Sequence, residues 1–380
     1  MNENYLKILS AFLLSITCCF AQVDSSLASL KTSIRFSIVG DVMAHQTQLN
    51  YAINSDSTYD FHSVFSYISP YITQSDFAIA NFESACAGSK REYKGYPVFN
   101  TPDTIITALK DSGFDHLITA NNHILDMGVS GAKRTMNEII KRGLDYSGSN
   151  RTESEKDSIK VYEVNNIKFT ILSYTYFSNF NNIGSHHYIV NKIDLQRVEK
   201  DIAKAKGLDL DVIIVYYHFG TEEQREPDLN QEEIVKKTIS FGADIILGGH
   251  PHRLQPIEVF NTNAANIATG FVAYSMGNFV SNQRWRYNDA GAVLYFTIEK
   301  EIESGKTSLS TIEYLPTWVF KGFTKNGREF IVLPSQLAME ENPLPFLTQE
   351  DIMLMKESYQ DCIESFNKYS AEPILIDILK

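Results

Sequence analysis

The chain is 380 residues long, with 43% hydrophobic and 21% charged residues, the balance of a globular protein with one large domain or two smaller ones and not of a disordered chain. Its formal charge of -12 excludes non-specific nucleic-acid binding, which requires a basic surface to neutralise phosphates. An anionic ligand must therefore find local compensation, from metal ions or from a few arginines.

The N-terminus has a charged start to Lys7, an apolar run from Ile8 to Phe20 and then Ala21-Gln22. This pattern reads as a secretory signal peptide over residues 1–21, and it predicts an exported, periplasmic or cell-surface protein. The run is short for a membrane span. Lipidation at Cys18 or Cys19 is the alternative, although Ile16-Thr17-Cys18 is a poor match to a lipidation signal. Without this segment only Cys86 and Cys362 remain, far apart and without metal-type pairing, so they are read as unpaired thiols.

From residue 33 to about 300, short β-branched runs alternate with segments of helical period, the pattern of an α/β architecture. Strands are predicted at Ile34 to Val42, Phe77 to Asn81, His116 to Ala120, Val212 to Tyr217 and Asp244 to Leu247, with helices at 103–112, 129–142, 195–206 and 230–241. Gly113, Gly143, Gly207 and Gly242 each follow a helix, where a left-handed residue is expected. Val161 to Val164 and Ile167 to Tyr174 form a hairpin around Asn165-Asn166, since asparagine tolerates positive φ. A further antiparallel run is expected over Leu254 to Phe260, Phe271 to Ser275, Ala292 to Ile298 and Ser308 to Tyr314, so two sheets are predicted. Beyond residue 300, strands and a long helix from Leu347 to Tyr369 are expected to pack on the outside of the same body.

The informative pattern is what ends each apolar strand. Gly40-Asp41, Asn81-Phe-Glu83, Asn121-Asn122-His123, His218 and Gly249-His250-Pro-His252 follow the five strands in turn. Ligands in open α/β sheets bind at the carboxyl ends of the strands, so five such ends converge on one crevice. Asp41, Glu83, Asn122, His218, His250 and His252 supply the oxygen and imidazole ligands of a divalent metal, or of two metals if one carboxylate bridges. Each residue alone would pass as a turn or a solvated strand end; only together do they indicate a metal site.

The ordered set Gly40-Asp41-Val-Met43, Asn81-Phe-Glu83, Ala120 to Gly128, His218-Phe-Gly220-Thr-Glu222, Gly249-His-Pro-His252 and Tyr274 to Phe279 resembles the motifs of the CapA family of bacterial capsule (poly-gamma-glutamate) synthesis proteins. That family lies within the calcineurin-like metallophosphoesterases. The resemblance covers about residues 33 to 300 and implies a four-layer α/β/β/α sandwich with two mixed sheets. It implies that the six residues above bind two divalent metal ions, of Mn, Fe or Zn type, and that His123 is the acid facing a leaving group. Asp126 either orients that imidazole or caps the following helix. Two departures stand out. Met43 occupies the position where such enzymes carry a histidine, with His45 as a possible additional ligand, and Glu83 stands where they carry a bridging aspartate. Arg225, Arg253 and Glu222, with Arg284 and Arg286, are candidates to hold substrate. The expected partner is an anionic cell-surface polymer or a phosphoester, alongside membrane-associated capsule machinery. Two functions follow: a metal-dependent hydrolase, or a non-catalytic polyanion-binding, export or anchoring module on the same fold.

Overall fold

The computed structural model describes residues 30–261, 265–341, 343–369 and 371–379, and the signal-peptide segment at 1–21 lies outside them. The strands are β1 (Lys31–Val42), β2 (Phe77–Phe82), β3 (His116–Ile118), β4 (Asp145–Ser147), β5 (Tyr162–Val164), β6 (Ile167–Thr175), β7 (Val212–His218), β8 (Ile245–Gly249), β9 (Ile257–Asn261), β10 (Thr269–Ala273), β11 (Asn278–Val280), β12 (Ala290–Glu301), β13 (Thr307–Thr324), β14 (Gly327–Pro334) and β15 (Ile374–Leu375). The helices of seven or more residues are α1 (Gln46–Ala52), α2 (Thr104–Asp111), α3 (Gly128–Lys141), α4 (Leu195–Lys206), α5 (Leu229–Phe241) and α6 (Gln349–Phe366). One sheet runs β14-β13-β12-β1-β2-β3-β4, with β11 beside β1 and β15 beside β13; the other runs β5-β6-β7-β8-β10-β9. Both mix parallel and antiparallel pairs.

Alternation along the strands builds the layers. Ile34, Phe36 and Ile38 of β1 meet Ile214 and Tyr216 of β7 in a core between the two sheets. The intervening Val39, Ala78 and Ala80 face Ile105, Ile106 and Leu109 of α2 outside the first sheet. Ile213, Val215 and Tyr217 face Val198 and Ile202 of α4 and Ile234 of α5 outside the second. The result is a four-layer α/β/β/α sandwich. The central strands are buried on both faces, which is why they read as continuous apolar runs and not as alternating ones.

Several expectations need correction in detail. β3 ends at Ile118, because Thr119 turns away to donate both its amide and its hydroxyl to the Ser147 carbonyl, at 3.0 and 2.9 Å. The antiparallel run is divided between the sheets: β9 and β10 pair with each other in one, β12 and β13 in the other. Asn165 and Asn166 do turn the hairpin at φ 51° and 61°, and Gly113, Gly143 and Gly242 are left-handed, but Gly207 is not, its φ being -72°. Helix α6 does more than cover the outside, since Cys362 and Phe366 enter the core between the sheets. Cys86 and Cys362 are both buried and unpaired. Among the described residues no helix is long and apolar enough to cross a membrane.

Candidate metal centre

Three local devices aim the strand ends at one point. Between Val39 and Asp41 the register of β1 against β2 slips, a bulge at Gly40 that re-aims the Asp41 side chain. The segment after β10 then crosses from the second sheet to the first. On the way the Met276 amide donates to Gly248 O at 3.0 Å and Gly277 O accepts from the Asp41 amide at 2.9 Å, stitching the end of β8 to that of β1. A Cβ at Gly40 would lie 1.9 Å from Gly277 O, so only glycine permits this seam. Finally, His250 and His252 take φ 98° and 57°, a conformation that costs energy in any residue with a side chain and that concentrates at functional sites. The two imidazoles therefore reach the site from left-handed backbone.

Asp41, Glu83, His218, His250 and His252 come together in two groups that share one residue. Glu83, His218 and His250 offer ligand atoms within 4.8 Å of one another, as do Asp41, Glu83 and His252. His252 Nδ1 lies 3.0 Å from Asp41 Oδ2, and the Asn81 amide donates to Asp41 Oδ1 at 2.6 Å and to His218 Nδ1 at 3.2 Å. The remaining His218 nitrogen, Nε2, then donates to Asn122 Oδ1 at 2.8 Å, a tautomer assigned by the network. His218 Nε2 is also 3.6 Å from Glu83 Oε1.

Glu83 is the exception in this network. It is fully buried, and neither carboxylate oxygen has a hydrogen-bond partner. Burial, and next the Asp41 charge, push its carboxyl well above the usual range. Burial likewise holds His218 well below the usual imidazole range and His250 down to about 4, so both rings are neutral, the form that binds a metal. The His250 Nδ1 also lacks a partner. An orphaned buried carboxylate beside neutral, partnerless imidazole nitrogen is costly as it stands and fits a divalent cation.

His123 stands at the edge of the groups, with Nε2 3.9 Å from Glu83 Oε1. Its Nδ1 bonds Asp126 Oδ2 at 2.7 Å, and that same oxygen accepts from the Phe99 amide at 2.7 Å. Met127, not Asp126, is the residue that caps α3, so the carboxylate is directed to the imidazole. His45 lies outside both groups; its Nδ1 faces the Asn282 amide at 3.3 Å, and burial lowers it to about 4. Arg253 follows His252 directly, with its Nε donating to Asn288 Oδ1 at 2.7 Å. Arg225 stacks on Tyr287, and Arg286 is paired to Asp361 and Glu357. Arg284 instead turns to Trp318. Glu222 is exposed, near enough for its charge to raise Glu83.

Two participants escape a reading of the strand ends. Asn81 links Asp41 to His218, yet in sequence it is only the neighbour of Glu83. Tyr216 is fully buried with a partnerless hydroxyl, and a Cβ at Gly249 would lie 2.2 Å from that oxygen and 2.9 Å from Asp41 Oδ1. The tyrosine forms the floor beneath the Gly249 turn, although an aromatic residue in an apolar strand reads only as core.

The family described as bacterial capsule synthesis protein PGA_cap matches residues 35–283. The PGA biosynthesis protein CapA of Bacillus subtilis (strain 168) is 31% identical over 268 residues, covering 70% of this chain and 67% of its own. The capsule biosynthesis protein CapA of Bacillus anthracis is 29% identical over 309 residues, covering 77% and 72%. Among solved structures, the calcineurin-like phosphoesterase YfkN from Bacillus subtilis aligns with 88% of this chain and 99% of its own at 13% identity and a TM-score of 0.45. The matched segment contains every residue of both ligand groups, and the chain belongs to the bacterial capsule synthesis protein family.

Proposed function

We propose that the chain is an exported, metal-dependent phosphoesterase of capsule or poly-gamma-glutamate synthesis, holding two divalent ions of Mn, Fe or Zn type. The observation that carries this reading is Glu83, a buried carboxylate with two partnerless oxygens that belongs to both ligand groups. His218 and His250 complete one site and Asp41 and His252 the other, with Asn122 beside His218 as a neutral oxygen donor. Bound there, the ions supply Lewis acidity toward a phosphoryl oxygen.

The rest is done by side chains. Asp126 accepts from His123 Nδ1 and fixes the ring, so that in the imidazolium Nε2 carries the proton toward the leaving oxygen, as a general acid must. The Phe99 amide holds Asp126 in turn, and the Phe99 ring packs edge-on against His123 at 4.7 Å, which limits its rotation and shields it from water. Export is supported by the leader-like pattern at 1–21 and by the capsule-synthesis family.

The test is elemental analysis of the purified mature protein beside His250→Ala and Asp41→Ala, with turnover of a phosphomonoester and a phosphodiester on the same samples. Two ions per chain are expected in the wild type; each variant should lose one of them, because His250 and Asp41 belong to one ligand group each, and turnover should be lost in both. Bound metal without turnover would leave a non-catalytic polyanion-binding or anchoring module. No metal after reconstitution with Mn, Fe and Zn would overturn the proposal.

A further inference from the structure

Beside the metal centre, three arginines surround one tyrosine. The guanidinium carbon of Arg225 lies 4.1 Å from the Tyr287 ring centroid, that of Arg286 4.8 Å and that of Arg253 5.5 Å. Tyr287 has φ 74°, a conformation unfavourable for a bulky residue and maintained only where its surroundings impose it. Three loops meet here. Arg253 is one residue from His252, its Cα about 3.8 Å away. The loop of Arg225 is tied to the histidine turn by Glu223 N donating to Pro251 O at 2.8 Å. The loop of Tyr287 is tied in by Asn278 Nδ2 donating to Asn288 O at 2.9 Å, and Asn278 is the register partner of Asp41.

The three cations are not equally committed. Arg286 makes two bonds to the buried Asp361, at 3.0 and 3.2 Å, and a third contact to Glu357 at 3.1 Å, so it braces the loop against α6. Arg225 has only distant partners, Glu364 at 3.9 Å and the Asp361 carbonyl at 3.5 Å. Arg253 is aimed through Nε by Asn288, and its Nη2 meets only the exposed Glu223, at 3.3 Å. Ion pairs of this kind, a partly buried guanidinium with an exposed carboxylate, contribute little and exchange readily for a better anion. A guanidinium held by a ring and a side-chain amide keeps its fork for a carboxylate or phosphate. In a chain of net charge -12, Arg225 and Arg253 are thus two cations beside the candidate metal centre whose partners are distant or exchangeable.

We infer that Arg225 and Arg253, stacked on Tyr287, form a clamp for a second anionic group of a ligand whose first anionic group lies at the metal centre. The inference rests on the metal-centre reading for where the first group sits. The ligand class is a molecule with at least two carboxylates or phosphates along its length, and not a single small ester.

The clamp is tested on the full chain reconstituted with Mn and, beside it, on the metal-free chain, by binding and not by turnover, so that its failure is separable from failure of the phosphoesterase reading. An oligoglutamate and a short linear polyphosphate are titrated, following the emission of Trp285, which is 49% exposed in the same loop, whereas the second tryptophan, Trp318, is buried; isothermal calorimetry provides the affinity. Arg225→Ala and Arg253→Ala should each weaken binding about tenfold, the size of a lost charge-assisted hydrogen bond. Arg253→Lys should fall between, having the charge without the fork, while Arg284→Ala, which faces Trp318, should bind as wild type. Binding of the glutamate chain alone assigns carboxylates, and of polyphosphate alone phosphates. No binding of either chain by wild type, or equal loss in Arg284→Ala, would overturn the clamp; unchanged melting temperatures in the variants exclude misfolding as the cause.

Discussion

Replacing Gly249 by alanine tests the seam that joins the two sheets at the metal centre. The added methyl would meet Tyr216 Oη at 2.2 Å and Asp41 Oδ1 at 2.9 Å, and neither atom is free to withdraw. Tyr216 is fully buried in the core between the sheets, and Asp41 is held by Asn81 and His252. Overpacking of a filled interior costs about 1–3 kcal/mol, which corresponds to a fall of roughly 1–4 °C in melting temperature for a chain of this size. Thermal unfolding of the metal-free protein measures it. Adding Tyr216→Phe removes the closest oxygen and leaves the ring carbon at 3.3 Å, so the double variant should recover at least half of the loss. Alone, Tyr216→Phe should be nearly neutral, because the deleted hydroxyl has no partner. The cycle isolates the clash as the interaction between the two substitutions. A Gly249→Ala protein that melts like wild type, or one that Tyr216→Phe does not rescue, would refute the steric account of the glycine.

Three further outcomes follow from the same geometry. Because Glu83 belongs to both ligand groups and His252 to one, Glu83→Gln should lose both ions and His252→Ala only one; equal stoichiometries by elemental analysis would contradict a shared carboxylate. Asp126→Ala should lower turnover about 10–100-fold with metal content intact, as expected when the partner that orients an imidazole is removed, and a parallel loss of metal would show that the carboxylate instead supports the centre. His116, buried against Ser147 and Tyr162, is held down to about 3, chiefly by burial and then by the Lys160 charge. Between the unfolded value near 6.5 and that folded value the unfolded chain binds the extra proton, so stability is lost as pH falls through this window, by at most about 1.4 kcal/mol per pH unit. Denaturant titrations should find a shallower slope in His116→Gln, and identical slopes would remove His116 as the cause.

The parallel strands were legible because each is buried on two faces and must stop where its chemistry begins. Ile79, Val215 and Ile246 sit in continuous apolar runs, and the polar residues that end those runs, Asn81 with Glu83, His218, and His250 with His252, are among the ones that converge. β4 and β11, of three residues each, are too short to carry a period. β14 is hard to read for a different reason: Arg328 is exposed at its start, and the Gly327-Arg-Glu opening resembles a loop. The tail helix was visible in its period, but its docking was not: whether Cys362 and Phe366 cover a surface or close the core between the sheets depends on β12 and β13 leaving that edge open, a property of the assembled sheet. The left-handed backbone at His250 and His252 belongs to the same class, since nothing in the spacing Gly249-His-Pro-His252 announces it.

The site shows the same division at the level of single side chains. Asp41 and Glu83 are buried carboxylates at neighbouring strand ends, and their charges oppose one another. Between them in sequence and space stands Asn81, whose amide donates to Asp41 and to His218. A third carboxylate there would add to the repulsion, whereas the amide offers two donors and no charge, so it fixes the Asp41 oxygen and the His218 tautomer while leaving both Glu83 oxygens without a partner. The spacing Asn81-Phe-Glu83 identifies the acid as a ligand candidate but not the amide as its counterpart. That role exists only once β1, β2 and β7 have brought three strand ends within hydrogen-bond reach.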